Sequence, residues 1–281
     1  MKYFPCVLIC FLFLGNFAWA QDDDWDSGWT REKEAFVVKQ YHEFIERFNF
    51  DEKTPIVKFF KKNYPGYSLT REDLIKSLFN IEDPDWDKSL QNSFIDDIMR
   101  GDNPVQIDFY DDNWFAEVKC IFEYKKKQYP GSVILKLYHY ENNSSKWQVV
   151  GIQEDFLPKA GVEGPFPISR DPTRILNPMS HAVDFASLYR AFRDVEGLPN
   201  YFAQEYWTPR MNLFFRELRK GSLCLEATTG VTYHLLQIDG WILRLNYYSR
   251  NLPNSGILIS SLEQADVNDK AGYRRKQLNI K

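Results

Sequence analysis

Cysteine is scarce in this chain: four in 281 residues, with Cys6 and Cys10 both near the start and only Cys120 and Cys224 in the body. That count leaves no disulfide framework of the kind that staples small secreted folds. Cys120 and Cys224 each sit on or beside an apolar strand face and read as buried small hydrophobes. Pairing them would require Cα atoms within about 7 Å. Histidine is equally thin, at four. None of His42, His181 and His234 has ligand spacing to a Cys, Asp or Glu, so no metal site is expected. The 14 glycines form neither a phosphate-cradling loop nor a Gly-x-Ser-x-Gly elbow, and no cofactor is implied.

Basic excess and long apolar runs are missing too. The formal net charge is −4, which argues against nucleic acid or an anionic membrane as main partner. Apolar runs are confined to residues 1–20, "MKYFPCVLICFLFLGNFAWA". Lys2, the apolar stretch behind it and Ala18-Trp19-Ala20 have the order of a signal peptide with its cleavage site. Export to the periplasm or the extracellular space follows as an expectation, with no integral membrane segment after cleavage. The overlapping acceptor patterns in "NNSS" at Asn142 matter only where secretion follows a eukaryotic route.

What is abundant is aromatic: 16% of residues against 26% charged. Cores or pockets built from large rings are the consequence. Residues 21–29 form an acidic leader; Asp22, Asp24 and Asp26 echo a calcium loop, but Ser27 stands where its glycine belongs. Residues 30–156 read as a first α+β unit. A helix is expected over 30–48, others near 55–63, 70–79 and 93–99, capped by Thr30, Thr70 with Asp73, and Pro55 in a first turn. The period then changes to two: Trp114, Ala116, Val118, Cys120, Phe122 and Tyr124 share a face. Tyr129-Pro130-Gly131 is expected to turn that strand, and residues 147–154 to close a meander.

Residues 157–178, dense in proline and glycine, read as a linker. Residues 179–265 repeat the order. A helical stripe runs through Ala182, Phe185, Tyr189 and Phe192, a short helix covers 198–207, and another starts at Thr208-Pro209 and stops at Gly221. Strands are expected over 223–228, 231–238, 241–250 and 256–262, with a hairpin at Asp239-Gly240. Residues 266–281 read as a polar, basic tail. The fold class is therefore α+β in two tandem domains, helices first and an antiparallel meander second.

"WFAEVKCIFEY", "GSVILKLYHY" and "KWQVVGIQ" in the first half, with "VTYHLLQI", "GWILRLNYYSR" and "NSGILISSL" in the second, resemble the nuclear transport factor two-like superfamily. The resemblance implies a cystatin-like cone of helices on a curved sheet, in two copies. It also implies a range of functions, from ketosteroid isomerase-like and polyketide cyclase-like enzymes to non-catalytic binding domains, so the fold does not decide the activity.

Two places stand out as candidate binding residues. Arg244, Asn246, Tyr248 and Arg250 alternate with Trp241, Leu243, Leu245 and Tyr247 on one strand, a polar face suited to an anionic or sugar-like ligand or a partner. His139 continues the face of Val133, Leu135 and Leu137, toward a pocket or at the wet end of its strand. The acidic group Asp108, Asp111 and Asp112 has the form of a hairpin tip. No catalytic residue is identifiable. The chain reads as an exported, non-enzymatic binding protein for a small ligand or protein partner. An isomerase- or hydrolase-like enzyme, or a structural component of an envelope assembly, are the alternatives.

Overall fold

The alternation that begins at Trp114 sets one face of each strand against helices and leaves the other to water and to the C-terminus. The computed structural model describes residues 35–280 apart from Pro84, Asn142, Asn143, residues 168–170 and Pro172. The leader sequences at 1–29, the Thr30 cap and the Asn142 acceptor lie outside the described residues.

Of the helix expected over 30–48, the described part breaks. Val38 leaves the helical path to make a parallel bridge with Gly256, and α1 (Tyr41–Phe48) starts only afterwards. The approach is close: Gly256 has φ +91°, and a Cβ there would lie 2.1 Å from the Val38 carbonyl oxygen, so only glycine fits. Next come α2 (Pro55–Asn63), capped by Thr54, and α3 (Arg71–Ser77), with the Thr70–Asp73 capping box in place. α4 (Lys88–Met99), started by Asp87, is longer than expected.

Three strands follow: β1 (Trp114–Tyr124), β2 (Lys127–His139) and β3 (Ser145–Gln153). Tyr129-Pro130-Gly131 is not the turn between the first two. The chain reverses at Lys125 and Lys126, both at positive φ (50° and 66°), and Pro130 pairs with Ile121 inside β2. β3 pairs with β2 only from Ser132 on, so the proline's missing N–H falls on an unpaired stretch of edge.

The proline-rich segment is packed rather than free-standing. Leu157 and Leu176 are buried, the Leu176 carbonyl accepts from Trp147 N–H, and Val162 N–H donates to Pro209. The stripe over 182–192 is interrupted: a 3₁₀ turn (Pro178–Val183) gives way to positive φ at Asp184 and Phe185 before α5 (Ser187–Arg193). Residues 198–207 hold two 3₁₀ turns in place of one helix. α6 (Pro209–Arg219) has its Thr208 cap, and Gly221 follows at φ +68°. The two strands expected over 223–238 are one, β4 (Leu223–Leu235), bent by register shifts against β1. β5 (Trp241–Tyr248) and β6 (Gly256–Gln264) complete the set. Asp239-Gly240 turns the chain into β5, but Leu235 pairs with Leu243, so the connection is a wider loop than a two-residue hairpin.

The fold is α+β, with helices and one six-stranded antiparallel sheet ordered β3-β2-β1-β4-β5-β6. Strands of both halves meet at β1 and β4, and one continuous apolar core runs across them. Its inner face is ring-filled: Trp114, Trp147 and Trp241 are at most 1% exposed, and Tyr41 stacks on Trp114 at 4.1 Å between centroids. Both edges are partly covered, β6 by Val38 and Phe79, β3 by Leu176 and Phe202, which blunts strand-to-strand association.

The terminal segment read as a polar tail folds as α7 (Val267–Lys276), capped by Asp266 and Asp269. Tyr273, Leu278 and Ile280 are buried against the outer face of the sheet with Phe115, Ile134 and Ile242. Among the described residues no helix is long and apolar enough to cross a membrane.

Candidate functional site

The outer face of the sheet divides in two. α7 and the residues after it cover an apolar part, and a polar part stays open beside them. The open part is built where β1, β4 and β5 lie side by side. Glu117 pairs with Thr232, Thr232 with Asn246, and His234 with Arg244, so alternation brings all five side chains to one face.

At its inner margin lies a buried polar network. His234 Nε2 is 3.1 Å from Glu117 Oε2, and Nδ1 is 2.8 Å from the Tyr273 hydroxyl. Ser132 Oγ donates to the other Glu117 oxygen at 2.7 Å. The hydrogen bond from His234 holds the Glu117 carboxyl below the usual carboxylate range, against the opposing effect of burial. An ionised Glu117 accepts from Nε2–H; that tautomer leaves Nδ1 to accept the Tyr273 O–H. The order hydroxyl, imidazole, carboxylate has the form of a proton relay. Its hydroxyl, however, is a poor nucleophile, because burial pushes Tyr273 up to about 12. The network instead ties α7 to three strands, β4, β1 and β2.

Outward from it, Arg244 Nε donates to Ser261 Oγ at 2.8 Å, Asn246 Nδ2 to Thr232 Oγ1 at 2.8 Å, and Ser260 Oγ to Asn246 Oδ1 at 2.7 Å. The β-bulge between Arg244 and Leu245 is what lets both Ser260 and Ser261 reach this face. Arg244 and Lys119 are exposed. A shallow depression of about 450 Å³ adjoins Lys119, lined also by Gly131, Ser132, Gln153 and Thr229. Prearranged donors and acceptors with free cationic ends recognise polar, partly anionic surfaces.

Of the residues singled out from the sequence, the structure brings Arg244 and Asn246 together here. Tyr248 and Arg250 are engaged elsewhere. The Arg250 guanidinium lies 4.4 Å over the Tyr248 ring and bonds Asn80 and Asn254, clasping two loops. His139 lies three strands from β5, about 14 Å at the usual strand spacing. It is exposed at the wet end of β2, with Nδ1 2.8 Å from Ser145 Oγ and its ring against Tyr110. Tyr247 is 57% exposed and leaves the apolar face assigned to it. Asp108 and Asp111 accept backbone N–H bonds in turns, and Asp112 pairs with Lys136.

Glu117, Ser132, His234 and Tyr273 escaped sequence reasoning. For Glu117, Ser132 and His234 the only signal is outward phase on separate strands, and Tyr273 stands on α7; the β1–β4 pairing that joins Glu117 to His234 has no local signature. Cys120 is buried and Cys224 half-buried, and both are free thiols. Burial pushes them up to about 12 and about 11, so neither is a thiolate at neutral pH. Among the described residues no group of three or more His, Cys, Asp or Glu is placed to hold a metal ion. A second cleft, of about 540 Å³, lies between β3 and α6. There the Glu154 side chain, 1% exposed, is paired with Arg210, which also bonds the carbonyls of Leu157 and Pro158 and so fastens the proline-rich segment.

No family model, no curated protein and no solved structure matches the chain.

Proposed function

We propose that this is an exported, non-enzymatic binding protein that recognises a partner protein through the open polar part of its outer sheet face. The observation that carries the reading is the contrast between the faces. Rings fill the inner face around Trp114, Trp147 and Trp241, while Arg244, Asn246, Ser260 and Ser261 are hydrogen-bonded into a fixed polar surface outside. That contrast supports sheet-face recognition over a small ligand held in a cone. Export rests on the order of Lys2, the apolar run and Ala18-Trp19-Ala20. Kinship with the nuclear transport factor two-like superfamily, as two copies joined edge to edge, is part of the same proposal. Its support is the recurrence of helices before three antiparallel strands in each half.

The test is the size of the native assembly. A tagged chain expressed in its own host and resolved by size-exclusion chromatography should elute as a complex. Arg244→Glu with Asn246→Asp should return it to the monomer position, and Lys88→Glu, on an exposed residue of α4, should not. A monomer in every case would refute the reading.

A further inference from the structure

A second surface, on α2 and the loop after it, has no part in the outer face. Phe36, Phe59, Phe60, Tyr64 and Tyr67 form a chain of ring contacts with centroids 5.4 to 6.2 Å apart. Two of the rings, Phe36 and Phe60, rest on a small separate cluster of Ile56, Val57 and Leu74. Tyr64 is 48% and Tyr67 54% exposed, and both phenylalanines of α2 are half-buried. Contiguous exposed rings of this kind mark interaction sites.

Charge says what covers them. Residues 53–68, "KTPIVKFFKKNYPGYS", hold Lys53, Lys58, Lys61 and Lys62 and no acid, in a chain whose net charge is −4. Those four lysines are exposed. Glu52 neutralises one of them, Lys61, at 2.9 Å; Lys53, Lys58 and Lys62 are exposed on the same stretch of chain as the rings. Lys ammonium groups rimming an aromatic patch complement carboxylates interspersed with apolar or aromatic side chains. A bilayer is the poorer fit. Ile56 and Val57, the aliphatic residues of this stretch, are buried, and the most exposed rings are tyrosines, which present hydroxyls in place of a greasy wedge.

We propose that the α2 patch docks an acidic, aromatic-bearing segment of a partner protein. The rings supply contact area, and the lysines supply the on-rate and the preference for carboxylates.

Fluorescence anisotropy on the full chain tests this, using a labelled peptide of aspartates interspersed with tryptophan and glycine and a matched peptide with Asn for Asp. The Asp peptide should bind at least about tenfold more tightly. The preference should shrink with added salt. Lys58→Glu with Lys62→Glu should abolish it, and Tyr67→Ala should weaken binding with an unchanged melting temperature. Equal binding of both peptides would overturn the proposal. So would tight binding to phosphatidylglycerol vesicles without peptide preference. A gain in peptide affinity when Asp22, Asp23, Asp24 and Asp26 are changed to Asn in the full chain would also overturn it, by assigning the patch to the chain's own leader.

Discussion

Glu117 and His234 face each other diagonally across β1 and β4, with Nε2 3.1 Å from Oε2, and they join parts of the chain that share no local sequence pattern. The pair fixes the margin between the covered and open parts of the outer face. It also links both strands to α7 through Tyr273.

Removing the carboxylate should therefore loosen both strands and helix. Glu117→Ala leaves His234 and Ser132 without their acceptor and should cost about 2 kcal/mol; Glu117→Gln, which keeps an acceptor, should cost about 1. Chemical denaturation gives both values. Because the folded carboxyl is held low, its contribution is present above the unfolded value near pH 4.3 and is lost as pH falls through the folded one. The difference between wild type and Glu117→Gln should thus narrow in acid.

The C-terminus is a structural element. Leu278 is fully buried beyond the end of α7, and Leu278→Ala should cost about 2–4 kcal/mol through lost burial and a residual cavity. A change below about 0.5 kcal/mol, the range of ordinary surface substitutions, would mean that the segment is not docked in solution.

His181 should make the protein acid-sensitive. Its Nδ1 lies 2.8 Å from the Pro178 carbonyl, Nε2 is buried without a partner, and burial holds the ring below its ordinary value. The unfolded chain takes up the proton first, near pH 6.5, so stability falls from about there down to the lower folded value and is unaffected above it. His181→Phe should flatten the melting temperature over that window. An unchanged slope would place the sensitivity elsewhere.

The β1–β2 hairpin should be improvable. Lys125 and Lys126 both occupy the left-handed region, which Asn-Gly adopts with less strain. Lys125→Asn with Lys126→Gly should add about 1 kcal/mol, seen as a rise of about 2–4 °C in melting temperature.

Some of this architecture is legible residue by residue. The even-numbered face of β1 from Trp114 to Tyr124, the Thr208-Pro209 start of α6 and the Thr70–Asp73 box are local patterns, and each occurs as read. The rest depends on distant partners. Val38 abandons a helix to bridge Gly256, more than two hundred positions away. The turn at Lys125-Lys126 prevails over Tyr-Pro-Gly, and the register it sets pairs Val118 with Val133 and Ala116 with Leu135 on the buried face. α7 buries one helical residue, Tyr273, and anchors through Leu278 and Ile280 past its end, so no apolar period announced it. Arg244 and Asn246 were visible as an alternating strand face; Glu117 and His234, in opposite halves, were not visible as a pair.

The most direct test of outer-face recognition is site-specific photocrosslinking in the native host. The probe would be placed at Arg244 and at Asn246, with Lys88 as control. The account predicts one discrete adduct of the same mass from positions 244 and 246 and none from 88. Absence of any adduct at 244 and 246, in cells where the chain is demonstrably in a complex, would contradict it.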